Sequence, residues 1–151
     1  MYSGFTSLPA GDCVYSLNEN WNIYNSQDIA IDTSGNIYIA LYSSVYYNLA
    51  KLNPDTTVSW SVTSEVEVFP QSMKVSPDST FLIFTNGGDV LVKLNASTGA
   101  FLASTYYAVA IGDLYTSAIS PDSSSIICGG TYGGASYYEG FLSIMSASSL
   151  T

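Results

Sequence analysis

The feature that most constrains the fold of this chain is a segment that recurs at a fixed interval. Each copy is an alternating apolar run, a short polar turn and a second alternating run, and the copies span residues 28–40, 72–84 and 116–128. The turns open at Asp32, Ser76 and Ser120, so successive copies lie 44 residues apart both times. A fixed period of this length is typical of proteins built from one repeated supersecondary unit.

The turn residues predict a hairpin in each copy. In the second and third copies the turn reads Ser-Pro-Asp-Ser, at 76–79 and 120–123, where Pro presets φ and Asp can bond its own backbone. In the first copy Ser34-Gly35-Asn36 supplies residues that tolerate a positive φ. The apolar positions step by two rather than by 3.6, so strands are favoured over helices.

Two further strands are predicted after each hairpin. The third strand is read at 48–53, at 90–95 and, more weakly, at 140–145, and the fourth at 58–63 and 101–106. Four short antiparallel strands per period is the size of one β-propeller blade. The predicted fold class is therefore all-β, a β-propeller-type array of four-stranded antiparallel blades, with about three blades at the 44-residue period. A solenoid or a sandwich is the alternative all-β arrangement.

At its two ends the sequence is predicted to be offset from whole blades: it begins with an extra outer strand and ends with a blade that lacks one. Val14 lies 44 residues before Val58, so Cys13–Asn18 is predicted to be an orphan outer strand. The predicted organisation is an N-terminal extension at 1–12, the orphan strand and a linker at 13–26, and blades at 27–69, 70–112 and 113–151, the last without an outer strand. Because closed propellers use four or more blades, we expect either self-association into a ring or filament, or neighbouring blades in a longer chain.

Composition disfavours several classes of partner and chemistry. Twelve acidic residues against three lysines and no arginine give a net charge of −9, which disfavours nucleic acid and anionic membranes. The absence of histidine removes the commonest general base and metal ligand. We therefore predict no catalytic residue, no cofactor and no metal site. An enzyme fragment completed by residues elsewhere is a minor alternative.

The surface chemistry favours an extracellular or cell-surface location. Ser, Thr, Asn and Tyr replace the usual charged residues, which make up only 10% of the chain. Residues 1–12 lack the basic and apolar parts of a signal peptide, and no apolar run approaches the length of a membrane span. Cys13 and Cys128 permit one disulfide, although two buried thiols are an equal interpretation.

The motifs resemble those of a known repeat family. The segments Asp28–Ala40, Leu49–Asp55 and Val58–Ser61 resemble the secreted "beta-propeller repeat" family, with its Gly-Asn turn, Ala-Lys-Leu-Asn strand and Trp-bearing last strand. The two Ser-Pro-Asp turns are similar to those of surface-layer and TolB-type propellers. This sequence departs from the family at Thr56, where Gly is usual, and its third copy lacks Lys-Leu-Asn. The resemblance implies an extracellular module for adhesion, scaffolding or surface assembly, without catalytic residues.

Aromatic pairs are the candidate ligand or interface residues: Tyr46, Tyr47, Tyr106, Tyr107, Tyr137 and Tyr138. Exposed rings can stack on sugars or fill a protein interface, but one ring of each pair can equally pack between blades. Asn95-Ala96-Ser97 matches the N-glycosylation pattern in a predicted turn. The predicted function is thus a non-enzymatic structural or adhesive module that self-associates or belongs to a larger surface protein. A carbohydrate-binding, lectin-like propeller is the alternative.

Three other segments have a simpler interpretation. The oxygen-rich stretch 32–36 is similar to the start of a calcium loop but is better explained as a hairpin turn. Glu65 and Glu67 can form an acid/base pair, yet with no basic neighbour they are better explained as a solvated acidic edge. The glycine-rich segment 129–134 leads to no helix, so we predict a flexible loop between strands rather than a phosphate loop.

Overall fold

The computed structural model describes residues 25–42, 47–64, 70–85, 88–107, 112–134 and 137–150. Within those ranges the chain forms strands and turns, with no helix long and apolar enough to cross a membrane. The strands are β1 (Asn25–Ile31), β2 (Ile37–Tyr42), β3 (Tyr47–Leu52), β4 (Val58–Ser64), β5 (Ser72–Val75), β6 (Phe81–Thr85), β7 (Val90–Asn95), β8 (Phe101–Tyr106), β9 (Gly112–Ile119), β10 (Ser125–Gly134) and β11 (Tyr137–Ser146).

The strands form three antiparallel sheets, which confirms the predicted fold class. The sheet orders are β1-β2-β3-β4 (blade 1), β5-β6-β7-β8 (blade 2) and β9-β10-β11 (blade 3). The second strands begin at Ile37, Phe81 and Ser125, so the 44-residue period of the sequence is the period of the blades. Every strand pair joins neighbours in sequence, as the predicted hairpins require.

Two hydrophobic clusters hold the blades together, and strand β6 serves both. Leu82 and Phe84 belong to the cluster between blades 1 and 2, whereas Phe81 and Ile83 belong to the cluster between blades 2 and 3. All four are buried because successive side chains of a strand point to opposite faces. Blade 2 therefore has a fully buried second strand, apolar up to Thr85, as expected for a sheet that is covered on both sides.

A repeated hydrogen bond joins the first strands of successive blades, β1 to β5 and β5 to β9, which are the innermost strands. The Met73 N–H donates to Asp28 Oδ2 at 2.6 Å, and the Ser117 N–H donates to Ser72 Oγ at 3.1 Å. Donor and acceptor are 45 residues apart in both cases. The inner strands β1 and β5 thus each supply a side-chain acceptor to an N–H of the next blade.

The turn after the third strand is also fixed by the neighbouring blade. Ala96 and Ala147 occupy the same place in blades 2 and 3, since their N–H groups donate to Thr80 O and Ser124 O, 44 residues apart. The carbonyl of Ala96 accepts from Trp60 Nε1 at 3.1 Å and, at 3.4 Å, from the Tyr38 hydroxyl, which shares its one proton with the nearer Asp32 Oδ2. The carbonyl of Ala147 accepts from Lys93 Nζ at 2.7 Å. These bonds satisfy carbonyls that belong to buried residues.

The hairpin turns share one backbone feature at a fixed position. Gly35, Ser79 and Ser123 have φ of +81°, +58° and +59°, and they too are 44 residues apart. The left-handed region is easy for glycine but strained for serine. The Gly of the first copy was predicted from its turn chemistry, whereas the two strained serines were not.

Blade 1 differs from the other blades by one residue in its first hairpin. In blade 1 the Asp32 N–H donates to Asn36 O at 3.1 Å. In blade 2 the equivalent Ser76 N–H donates to Phe81 O at 2.8 Å, and Phe81 lies one residue beyond the position that is equivalent to Asn36. As a result Tyr38 turns toward blade 2 while Leu82, 44 residues later, turns toward blade 1. The residue of blade 1 that matches Leu82 in register is Ile37.

The glycine-rich segment 129–134 is part of strand β10, so the predicted flexible loop was wrong. Its glycines allow close approach of neighbouring strands: a Cβ on Gly130 would lie 2.1 Å from Asp113 O. The β9–β10 pairing is irregular between Gly129 and Gly130, which is where β9 comes close. The glycines are needed for a bulged strand, and this requirement has no periodic signature in sequence.

Candidate functional site

The residue pair Tyr106–Tyr107 has two different environments at the end of β8. The Tyr106 ring is exposed, whereas Tyr107 is partly buried beside blade 3, with its ring centroid 6.0 Å from that of Phe141. The Tyr107 hydroxyl lies 3.7 Å from Met145 Sδ, and burial raises its pKa to about 12. Tyr107 thus packs between blades as a protonated side chain, and Tyr106 is available at the surface.

Several predicted site residues have no described side chain. Tyr46, Glu65, Glu67 and Cys13 lie outside the described residues, and Tyr47, Tyr137 and Tyr138 are described through the backbone of β3 and β11 only. Their proposed roles stay predictions. Cys128 is a buried thiol in the cluster between blades 2 and 3, and burial raises its pKa. A disulfide between Cys13 and Cys128 also stays a prediction.

Asn95 ends strand β7, and its side-chain oxygen organises the turn that follows. Asn95 Oδ1 accepts from the Ser97 N–H at 2.9 Å, from the Ser97 hydroxyl at 2.7 Å and from the Thr98 N–H at 3.0 Å. Asn95 is half-buried and Ser97 is exposed. Glycosylation at Asn95 stays a prediction, at a turn whose next residue, Ala96, is buried against blade 1.

The carboxylate of Asp32 is occupied by its own hairpin. Its oxygens accept from the Ser34 N–H, from the N–H and side chain of Asn36, and from the Tyr38 hydroxyl, all at 2.8–3.1 Å. Burial by itself raises the pKa of Asp32, but these hydrogen bonds outweigh it and hold the pKa below its usual value. Asp32 therefore organises a turn. The described ranges contain no cluster of metal-ligating side chains.

The face of blade 1 that points away from blade 2 is partly open, and we call it the head face. It carries Ile29, Ile31, Ile37 and Ile39, with Ala50 and Leu52 further out on β3. Ile29 and Ile31 are 58% and 63% exposed, Ile37 and Ile39 are half-buried, and the two β3 residues are buried. The open part of the head face is therefore its inner half, on β1 and β2.

The face of blade 3 that points away from blade 2 is open as well, and we call it the tail face. It carries Thr116, Ala118, Ile127, Leu142 and Ile144. Leu142 and Ile144 are 70% and 66% exposed, Thr116 and Ala118 are exposed, and Ile127 is half-buried. Neither the head face nor the tail face has a charged residue at these positions, although the whole chain carries a net charge of −9.

Residues at the same register positions are interior elsewhere in the array. Leu142 matches Leu49 of blade 1 and Leu91 of blade 2, which are 1% and 0% exposed. Ile29 matches Met73 of blade 2, which is 1% exposed. The exposed parts of the head and tail faces thus have the chemistry of interblade faces, while Ala50 and Leu52 at the outer part of the head face are already buried. Sequence analysis predicted self-association or neighbouring blades from the blade count but did not identify these residues.

A second surface feature was missed by sequence analysis. Tyr115 is half exposed on β9 at the irregularity opposite Gly129–Gly130, and its hydroxyl donates to Asp113 Oδ2 at 3.0 Å. A ring next to a carboxylate offers both a stacking surface and hydrogen-bond acceptors. No sequence pattern marks Tyr115, because the bulge alone turns it outward.

Comparison with solved structures shows a propeller fold. The chain is similar to the β-propeller domain of Cps50 (Swd1) from Myceliophteria thermophila, with a TM-score of 0.53 and 11% identity. It is also similar to a protein from Lactobacillus plantarum, with a TM-score of 0.54 and 14% identity. Each match covers 80% of this chain but only 41% and 40% of those proteins, so the chain spans about two fifths of their length. No protein-family model and no curated protein matches the chain.

Proposed function

We propose that this chain is a non-enzymatic, extracellular structural or adhesive module, a propeller segment whose end faces are covered by further blades. The observation that supports this most is the exposure of Ile29 and Leu142 at register positions that are interior in the neighbouring blades, beside the exposed Ile31 and Ile144 on the same two faces. Leaving an aliphatic side chain in water instead of burying it forgoes up to about 1.5–3 kcal/mol. The covering blades belong to copies of this chain or to neighbours in a longer one.

Three further observations support the proposal. The resemblance to the secreted "beta-propeller repeat" family implies surface assembly, and the composition suits an extracellular protein. The chain has no histidine, and Asp32 and Tyr107 are committed to a turn and to packing between blades. The positions assigned to the end faces are mostly apolar and carry no charge, as the centres of protein interfaces do.

The test is the association state of the purified chain. Light scattering over a range of concentrations is expected to show assemblies, and two-dimensional averages from electron microscopy are expected to show discs or fibres. Six-bladed discs would mean that two chains close a ring, whereas fibres would mean an open array. A chain that stays monomeric at high concentration contradicts cover by copies of this chain and leaves only neighbouring blades of a longer chain as the cover.

Carbohydrate binding is the second candidate function. The observation that favours it is Tyr115, half exposed beside Asp113. A glycan array tests it, with Tyr115→Ala as the variant and Tyr106→Ala as an exposed tyrosine without a carboxylate partner among the described contacts. Binding that is lost only in Tyr115→Ala supports a lectin-like site. A silent array removes this candidate and leaves the structural module.

A further inference from the structure

We propose that the tail face binds the head face of a second copy of this chain, in a head-to-tail contact that reproduces the interfaces between blades. The inference rests on the proposed function and names its partner and geometry. Continuity with the two existing interfaces supports it. In each of them, the face of one blade that points toward the next blade (its outgoing face) packs on the face of the next blade that points back (its incoming face). The tail face is the third outgoing face, and the head face is the only incoming face left open among the described blades.

The apolar side chains at the two ends match those of an existing interface. Between blades 2 and 3, Ile83 and Leu91 pack in one cluster with Ile126 and Cys128. The residues at the corresponding register positions of the open ends are Ile127 and Leu142 on the tail face, and Ile37 and Ile39 on the head face. All four are aliphatic, so the contact between copies reproduces that cluster with one thiol replaced by an isoleucine.

The ends carry an acceptor and a donor at the positions of the inner-strand hydrogen bond, and the donor now bonds within its own strand. Thr116 occupies in blade 3 the position of Ser72 in blade 2, and its side chain is exposed. Ile29 occupies the position of Met73, and its N–H donates at 2.8 Å to Asp28 Oδ1 instead of to a preceding blade. In the head-to-tail contact the Ile29 N–H of the second copy donates to Thr116 Oγ1.

Charge and symmetry favour a second copy in this orientation. The positions assigned to the head and tail faces are uncharged, although Asp113 follows on the tail side of β9 because its neighbour Leu114 points to blade 2. Repulsion between two acidic copies is therefore mainly long-range, and salt screens it. Association is therefore expected to strengthen as ionic strength rises. A contact between unlike faces is heterologous, and it extends into a ring or a filament rather than stopping at a symmetric dimer.

The experiment blocks one face at a time in the full chain. Ile29→Lys disables the head face and Leu142→Lys the tail face, and both positions are exposed enough to accept Lys without disturbing the core. Phe101→Lys is the control. Phe101 is 63% exposed on an outer strand of blade 2, and its replacement by Lys changes the net charge by the same amount as the two blocking substitutions. Each variant is measured alone and in equimolar mixture by sedimentation velocity, with circular dichroism to verify the fold.

Each blocked variant alone is expected to be monomeric, and their mixture is expected to form a dimer and nothing larger. The mixture pairs the intact head face of Leu142→Lys with the intact tail face of Ile29→Lys. Phe101→Lys should assemble as the unmodified chain does. If one of the variants is misfolded, Ile31→Lys and Ile144→Lys replace the pair, because they lie on the same two faces.

A blocked variant that dimerises alone, or a mixture that stays monomeric while the unmodified chain assembles, overturns the head-to-tail inference and leaves the proposed function standing. An unmodified chain that never assembles contradicts self-association, the part of the proposed function on which this inference rests, and overturns the inference with it. Thr116→Val tests the polar contact separately. It keeps the shape but removes the acceptor, and it is expected to weaken association about three- to tenfold. An unchanged association constant overturns the assignment of Thr116.

Discussion

The interface between blades 1 and 2 and the interface between blades 2 and 3 fix the same turn with different chemistry. In the first, an indole and a phenol donate to the carbonyl of Ala96, and in the second an ammonium group donates to the carbonyl of Ala147. The position of the carbonyl follows the repeat, whereas the donor does not. The difference teaches that a blade needs a donor at this point rather than a particular side chain.

The first way to test that comparison is to remove a core side chain from each interface. Phe84 and Ile83 are neighbours on β6, both fully buried, and they point into different clusters. Phe84→Ala is expected to lower the free energy of unfolding by about 3–5 kcal/mol, and Ile83→Ala by about 2–5 kcal/mol. Urea denaturation followed by fluorescence and circular dichroism measures both. A loss below about 1 kcal/mol in either variant would mean that its cluster does not hold the blades together.

The second test compares the two donors directly. Lys93→Met removes the ammonium group that donates to Ala147 O and Leu150 O, while keeping most of the stem. We expect a loss of about 1.5–3 kcal/mol, because a buried residue's carbonyl loses a charged donor. Trp60→Phe should cost less, about 1 kcal/mol for the hydrogen bond, since the Tyr38 hydroxyl still reaches Ala96 O. Equal losses in urea denaturation would show that the second donor adds nothing.

The third test concerns the strained turn residues. Ser79→Gly is expected to stabilise the protein by about 0.5–1 kcal/mol, because glycine adopts the left-handed region without strain. Ser123→Gly is expected to gain little, because Ser123 Oγ accepts the Asp78 N–H of the neighbouring blade at 3.2 Å and glycine loses that bond. Thermal unfolding of the two variants side by side checks the difference. A larger gain at position 123 would contradict a role for that hydroxyl.

The smallest expected effect is a dependence on pH at the third hairpin. The hydroxyl of Ser120, then the backbone and hydroxyl of Ser124, lower the pKa of Asp122 to about 2. A lowered folded-state pKa gives stability that is present above the unfolded pKa, near 4, and is lost as pH falls toward 2. Asp122→Asn should therefore be less stable than the unmodified chain at pH 5 and equal to it below pH 2. An equal difference at both pH values would contradict this assignment.

Much of the fold follows from local sequence, because the 44-residue spacing and the Ser-Pro-Asp turns fix the hairpins. The fourth strand at 101–106 and the third at 90–95 were predicted to the residue. The one-residue shortening of the first hairpin could not be predicted, since Asp32 and Ser76 align in sequence while their hydrogen bonds span different lengths. That shortening decides which face Tyr38 occupies.

The candidate site was less predictable than the fold. Leu91 and Leu142 have the same residue type and the same register, and only the neighbouring blade makes one interior and the other exposed. Burial of this kind depends on tertiary packing, which the local periodicity of apolar residues does not report. The prediction of a loop at 129–134 was wrong for a related reason. Its glycine composition indicated a loop, whereas the glycines in fact allow β9 to approach strand β10 closely.

The order of strands within each sheet has a consequence for how the protein is made. Because β1 to β4 pair in sequence order, as do β5 to β8 and β9 to β11, each blade can form hairpin by hairpin as it leaves the ribosome. The head face is synthesised before the tail face, since blade 1 precedes blade 3 along the chain. In the proposed head-to-tail contact, a nascent chain that has made only blade 1 can therefore offer a head face, and it can offer the tail face only after blade 3 has emerged.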